Sequence, residues 1–478
     1  MAAALVAAMA AASPATNDVN GTATAKPAVG QFGFDASGMD RSTPPGVDFY
    51  RYANGRWDER TVIPADRSNV GTIETLEDLS RSRVRGILEE AAHDSRSRSG
   101  IAFATFLDEA TIDQKGLQPI AAWLADLRNV NSPRAYITAA ALAGRRGVAL
   151  PLNFIVEPDD AHPDHYALTI GQPVLGMPDR DYYLSDKADM QQARAAYATY
   201  LRDILHAAGI ADAERQAAAV LALETRMARL SWDAEASRDA TRTYNPSTLA
   251  ELDKGRSAFL LGDLVRGLGY HTERVIVRQP DAVTGILKLV DGEPVTTLRA
   301  MLVVRSVHRY AQVLPRAIRD VDFAFYGKVL GGVSEPEPRW REAVAFVLEA
   351  MPDDVSKVYV ARYFSPATKA AAKAMVDNLV AAFDHRIDKL DWMTPATRAR
   401  AHRKLGAFVP KIGYPDRWHD YAGLSMVTGD AFGNALRANL QQHDWEAAKV
   451  GRPVYRWEWR TTPMTVDISL DHGPSFTR

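Results

Sequence analysis

The chain has 478 residues, and 57 Lys plus Arg set against 59 Asp plus Glu leave a formal charge of −2. That balance gives no reason to expect a nucleic-acid partner, which demands a local cationic excess, and with 46% hydrophobic and 24% charged residues the composition excludes collagen-like, coiled-coil and wholly disordered classes. Cysteine is absent, which excludes disulfides, Cys-ligated zinc, iron–sulfur clusters and thiol nucleophiles and leaves His and carboxylates as the sole metal ligands.

Residues 1–15, MAAALVAAMAAASPA, are a short Ala, Leu, Val and Met run ending in small residues that suit a signal peptidase, although a basic start is missing. They read as a signal-peptide remnant, so export to the periplasm or the extracellular space is expected. No other stretch approaches the roughly 18 consecutive apolar residues of a membrane span. Residues 16–45 carry few large apolar side chains and read as an extended lead-in. Ordered structure is expected from Asp48, where DFYRYANGRW gathers aromatics around an Asn54-Gly55 turn signal. From Gly71 the pattern turns helical, with Leu76, Leu79, Val84, Ile87 and Leu88 near helical spacing.

Leu152–Val156 and Tyr166–Ile170 flank the turn Pro158-Asp159-Asp160 and predict a β-hairpin. Tyr197, Leu201, Ile204 and Leu205 then predict a helix that Gly209 stops. Asp212 reads as the N-cap of the next helix, carrying Val220, Leu223, Met227 and Leu230. Val275–Val277 and Thr465–Leu470 are weaker strand signals. The clearest helix opens at Ser365-Pro366 and carries Met375, Leu379, Phe383, Ile387 and Leu390 on one face; Thr394-Pro395 opens another. No fixed-period repeat is present. The fold class expected is mainly α with small β hairpins.

Eleven histidines are the natural place to seek a metal or a base. None lies in His-Glu-x-x-His, the spacing that puts two imidazoles on one helix face beside a Glu that activates water. His162 and His165 fall in a turn-rich HPDH loop, His385 lies on the polar side of its helix, and His402, His419 and His443 read as solvated positions among charges. Glu89-Glu90, Asp159-Asp160 and Asp353-Asp354 read as solvated charge, because adjacent carboxylates on a helix or turn point apart. No Gly-x-Ser-x-Gly elbow, Walker loop or Gly-x-Gly-x-x-Gly is present. Spacing alone therefore shows no active site.

Several strings nevertheless occur together. They are Pro45 to Trp57, PGVDFYRYANGRW, followed by Ile63-Pro64-Ala65-Asp66; then Gly176 to Tyr183, GMPDRDYY; then Asp391-Trp392-Met393; and last Lys411-Ile412-Gly413-Tyr414-Pro415. In this order, over about Phe34 to Val466, the chain resembles the neprilysin and endothelin-converting-enzyme family of zinc metalloendopeptidases. The resemblance implies two lobes: a large helical lobe that caps the active-site cavity, and a thermolysin-like α+β lobe whose zinc, held by two His and a Glu, polarises a water. On that basis residues 46–450 are expected to be the N-terminal helical domain and 451–478 the truncated start of the catalytic lobe.

The family's zinc helix has no counterpart up to Arg478, so no cofactor is expected on this chain; zinc belongs to a complete family member. Trp457 to Val466 resembles the segment leading into the family's substrate-binding edge strand. That alignment gives Asp467 and Ile468 as substrate-binding residues by position, although Asp467 lacks the amide donor of the family's Asn. The abrupt loss of resemblance at Asp467 suggests a truncated reading frame. Two arginines that hold the peptide's C-terminal side in the family's namesake fall on Asn69 and Glu77, neither of which forms a bidentate carboxylate contact. The expected function is thus the cavity-capping region of a peptidase, inactive as given, with peptides as partners of the intact enzyme. The alternative is a non-catalytic peptide- or partner-binding module.

Overall fold

A computed structural model describes residues 35–466. The chain divides between Ile63 and Pro64 into two compact units. In the first, a short 3-10 turn (Ala36–Gly38) precedes helix α1 (Phe49–Arg60). Asp48 caps α1, its carboxylate accepting from Arg51 N at 2.8 Å. The expected turn at Asn54-Gly55 is not there: both residues lie inside α1. Gly55 serves close approach instead, since a Cβ on it would sit 2.8 Å from Asp40 Cβ. Asp40 accepts from the hydroxyls of Ser42 and Thr43, which with the Ser42 backbone N–H hold its pKa down at about 2.

The second unit is mainly helical. Its first helices are α2 (Thr72–Ala91), α3 (Arg98–Leu107), α4 (Glu109–Lys115), α5 (Gln118–Arg128) and α6 (Pro133–Arg145). Strands β1 (Asn153–Pro158) and β2 (Tyr166–Gly171) precede α7 (Asp181–Leu184), α8 (Ala188–Ala207), α9 (Ala213–Leu230) and α10 (Ala234–Ser237). Then come β3 (Asn245–Thr248), α11 (Leu249–Asp253), α12 (Leu261–Gly267), β4 (Arg274–Val277), α13 (Pro280–Asp291), α14 (Val295–Arg309) and α15 (Arg316–Asp322). A π-helical stretch, Phe323–Leu330, leads to α16 (Arg339–Ala350), α17 (Pro352–Tyr363), α18 (Pro366–Asp388), α19 (Pro395–Gly406) and α20 (Ala431–Ala447).

Helix α14 is the axis of the body. Its run Ala300 to Val307 is apolar almost all round and buried throughout, the mark of a helix enclosed by others. Around it pack α5, α6, α8 and α9, with Leu201, Leu223, Leu298, Val303 and Tyr310 in one continuous core.

The predicted hairpin forms, with Phe154 opposite Ile170 and Val156 opposite Leu168. It belongs to a larger sheet than expected. The strand order is β1-β2-β4-β3, with β2 and β4 parallel through Thr169↔Ile276 and β3 antiparallel to β4. Gly209 ends α8 with φ +70°, as its position implied. Asp212 does not cap α9 as expected: it is left-handed at φ 58°, makes no cap hydrogen bond, and pairs with Arg215 at 2.6 Å. Of the weaker strand signals, Val275–Val277 lies in β4, Thr465 and Val466 form no strand, and residues 467–470 lie outside the described residues.

Candidate functional site

Asp467 and Ile468, like residues 1–15, lie outside the described residues. What the structure places is the run-in to them, residues 451–466, and it is fixed at three points. The first is the end of the β1–β2 hairpin. Tyr166 N donates to Arg452 O at 2.9 Å, Gly451 N to Tyr166 O at 2.9 Å, and Val454 N to Asp164 O at 2.8 Å. HPDH is thus a loop, as expected, whose end pairs with the tail through His165 and Pro453.

The second point is Glu458. Its carboxylate accepts from Lys449 Nζ at 2.7 and 2.8 Å and from Trp445 Nε1 at 2.8 Å, while Lys449 also donates to Glu446 at 2.8 Å. Lys449 is only 4% exposed. Burial works against its charge, but the hydrogen bonds to Glu446 and Glu458 outweigh that, and its pKa lies above the ordinary lysine value. Lys411 of the KIGYP string donates to Glu458 O at 2.5 Å, and Lys369 lies over the Tyr414 ring while donating to its carbonyl at 2.8 Å. That string therefore straps the tail to the start of α18. Gly413 is required within it, with φ +77° and the Phe364 ring 2.8 Å from where a Cβ would stand.

The third point is Met464, whose carbonyl accepts from Ser80 Oγ of α2 at 2.7 Å and whose sulfur accepts from Ser356 Oγ of α17 at 3.4 Å. The chain therefore leaves the described residues from a fixed position between two helices. Asn69 and Glu77 are engaged locally: Asn69 donates to Glu74 at 2.6 Å and Glu77 faces Arg81 at 3.9 Å.

The GMPDRDYY string sits at the core. Tyr183 and Tyr197 donate to Glu224 Oε2 at 2.9 and 2.8 Å, and Arg305 meets Glu224 Oε1 at 2.8 Å while also donating to Leu150 O at 2.9 Å. Met177 N donates to the Tyr183 hydroxyl at 3.0 Å. Burial first, and the Glu224 charge second, push both tyrosine pKa values well up, so the phenols remain donors. Sequence reasoning missed Glu224 and Arg305. The signal was present: each is a charge set in an apolar stripe, between Leu223 and Met227 and inside Met301 to Val307.

Of the three histidines read as solvated, His419 and His443 are packed against neighbours, and His402 lies at the surface between two carboxylates. His402 bridges Asp384 and Asp388 at 2.6 and 2.9 Å. His443 Nε2 lies 2.6 Å from Leu268 O. His419 packs edge-on against Trp445 at 4.3 Å, and its backbone N donates to Asp353 at 2.6 Å. Burial lowers the pKa of both His419 and His443. Nor are the acidic pairs merely solvated: besides that contact at Asp353, Asp354 pairs with Arg98 at 2.9 Å, Glu90 with Arg362 at 2.6 Å, and Asp159 accepts from Tyr244 at 2.9 Å. Among the described residues no three His, Asp or Glu side chains converge on one point, and the sequence holds no His-Glu-x-x-His.

Helices α18 and α19 stand apart from this packing. Ser365 caps α18 through Thr368 N at 3.1 Å, and Thr394 caps α19 through Thr397 N at 3.2 Å, as the Ser-Pro and Thr-Pro pairs imply. Yet neither helix has a buried residue. Much of the face expected to be core is open: Met375 is 71%, Leu379 56% and Phe383 52% exposed, while Ile387 and Leu390 are half-buried.

The body is mainly helical, built around the GMPDRDYY network, with a strapped tail and an exposed α18–α19 hairpin. Residues 45–415 match the profile of peptidase family M13, and the chain belongs to that family. Human neprilysin is 25% identical over 91% of this chain and 64% of its own length. An endothelin-converting enzyme homolog of Locusta migratoria is 26% identical over 90% of this chain and 63% of its own. The zinc metalloprotease ZMP1 of Mycobacterium tuberculosis, solved with an inhibitor, superposes with a TM-score of 0.85 at 32% identity, covering 91% of this chain and 67% of that one. The chain thus spans a little under two-thirds of the length of these curated relatives.

Proposed function

We propose that this chain serves as the N-terminal, cavity-capping region of a neprilysin-like zinc metalloendopeptidase, and that cleavage is carried out by residues it does not contain. In this reading 46–450 is the capping domain and 451–478 leads into the catalytic part. Asp467 and Ile468 offer backbone groups to an extended peptide, and the protein is exported. The observation that carries the reading is the open apolar face of α18, where Met375, Leu379 and Phe383 are exposed. A two-helix hairpin without buried side chains is marginal in water, and apolar side chains gathered on one exposed face mark a surface that another body covers. A catalytic lobe of the kind implied by the family supplies that cover.

Reconstitution tests it. The purified chain is expected to hold no stoichiometric zinc and to cleave no peptide, because no His-Glu-x-x-His is present to bind or use the metal. Mixed with the separately produced C-terminal third of ZMP1, it is expected to form a complex that cleaves peptides and is silenced by a chelator. One tightly bound zinc per chain with matching activity in the chain alone would overturn the division of labour. Failure of Leu379→Asp to weaken the complex would overturn the role of the hairpin.

A further inference from the structure

The α18–α19 hairpin is closed by little apolar burial, so its polar contacts carry unusual weight. Across it, His402 Nδ1 lies 2.6 Å from Asp384 Oδ1, and Nε2 lies 2.9 Å from Asp388 Oδ1. A neutral imidazole has one N–H, so it satisfies one of these carboxylates and turns a lone pair on the other; only imidazolium donates to both. Asp384 and Asp388 are also one turn apart on α18, where like charges repel. A cation between them relieves that repulsion and ties α19 to α18 at once.

We propose that protonated His402 is the clasp of the α18–α19 hairpin, and that loss of its proton releases one helix from the other. The groups whose charge acts on the ring are Asp384 and Asp388. Arg386 shares α18 with them and Lys389 caps its C-terminal end; Arg403 and Lys404 follow His402 on α19, and Arg398, one turn before it, donates to Leu390 O at 2.9 Å. The hydrogen bond to Asp384, then that to Asp388, holds the His402 pKa above its ordinary 6.5 against a small opposing effect of burial. A raised value in the folded state means that the clasp is fully present below 6.5 and is lost as pH rises through the folded pKa. The clasp stands on this geometry alone; its bearing on the exposed face of α18 rests on the function proposed above.

Two measurements on the whole chain test it. Labelled-histidine NMR should show His402 titrating above 6.5, and Asp388→Asn should lower that midpoint. Amide exchange corrected for its intrinsic pH dependence should rise over residues 366–406 between pH 6 and pH 9, as the clasp loses its proton. His402→Gln should remove that rise, leaving the hairpin open at both values. Titration of His402 at or below its ordinary value, or equal protection of the wild-type hairpin at both pH values, would overturn the proposal. Should His402→Gln fail to fold, the wild-type titration and Asp388→Asn still decide. Equal protection leaves the reconstitution result untouched, so the clasp and the docking face fail separately.

Discussion

Glu224 and Arg305 show how one residue can organise a core. Burial of a charge is costly unless it is paired and hydrogen-bonded, and here one carboxylate takes an arginine and two phenols. Removing one partner strands the other, so Glu224→Gln should destabilise by about 3–5 kcal/mol in urea unfolding. A double replacement by apolar residues, Glu224→Leu with Arg305→Met, should cost less than the sum of the two single changes. Gly176 is the matching backbone requirement: a Cβ there would lie 1.7 Å from the Tyr197 hydroxyl. Gly176→Ala should therefore cost more than the ~1 kcal/mol of an average substitution, and a shift in the unfolding midpoint reports it. Asp212 gives the opposite contrast. Lacking a cap bond, Asp212→Ala should lose less stability than Ser132→Ala, which removes a true cap on α6 worth about 1 kcal/mol. Residue type and position announced caps at Asp212, Ser365 and Thr394, but could not distinguish the two that work from the left-handed aspartate. That distinction is set by the preceding chain path, which short-range pattern does not encode.

At the scale of elements, the helix after Ser365 shows what periodicity can and cannot tell. Its stripe of Met375, Leu379 and Phe383 predicts the helix correctly, and would ordinarily predict slow amide exchange. With those side chains exposed, slow exchange is instead expected in α14, and fast exchange in α18 and α19 when the chain is alone. Exchange mass spectrometry checks the ranking; a hairpin as protected as α14 would mean that its apolar face is covered within the chain itself. Leu379→Ser should change the stability of the isolated chain by less than ~0.5 kcal/mol, as befits an exposed site, while weakening reconstitution. The stripe was legible because helical spacing is local. Its partner was not, because an apolar face says only that something covers it. The Asn54-Gly55 signal failed for a related reason: a glycine admits a turn, but here it admits the close approach of Asp40 to a helix.

Across the whole molecule, two histidine groups should answer pH in opposite senses. His419 and His443 have lowered values, so the unfolded chain binds protons that the folded one refuses; the stability they confer is complete above 6.5 and declines on acidification. Asp353, Glu458, Lys449 and Asp420 act on His419, placing the effect at the strapped tail. Corrected for its intrinsic pH dependence, exchange around Trp445 and Trp457 should thus quicken as pH falls below 6.5, whereas that of α18 and α19 should stay at its slow limit there and quicken only as pH rises above 6.5. The same sign at both places would contradict the two assignments. The helical class and the β1–β2 hairpin were legible in the sequence, since both follow from contacts between near neighbours. The four-stranded sheet was not, because β3 is short and β4 meets β2 from far away. That distance bears on how the chain is made. β2 finds its second edge in β4, more than a hundred residues later. At ordinary rates of synthesis the ribosome needs roughly 5–20 s to deliver it. For that time Leu168 and Ile170, both fully buried in the end, sit on a strand with one open edge, an invitation to pair with a neighbouring nascent chain. A chaperone that engages the emerging polypeptide before β4 appears should raise the yield of folded protein, whereas one added after release should not.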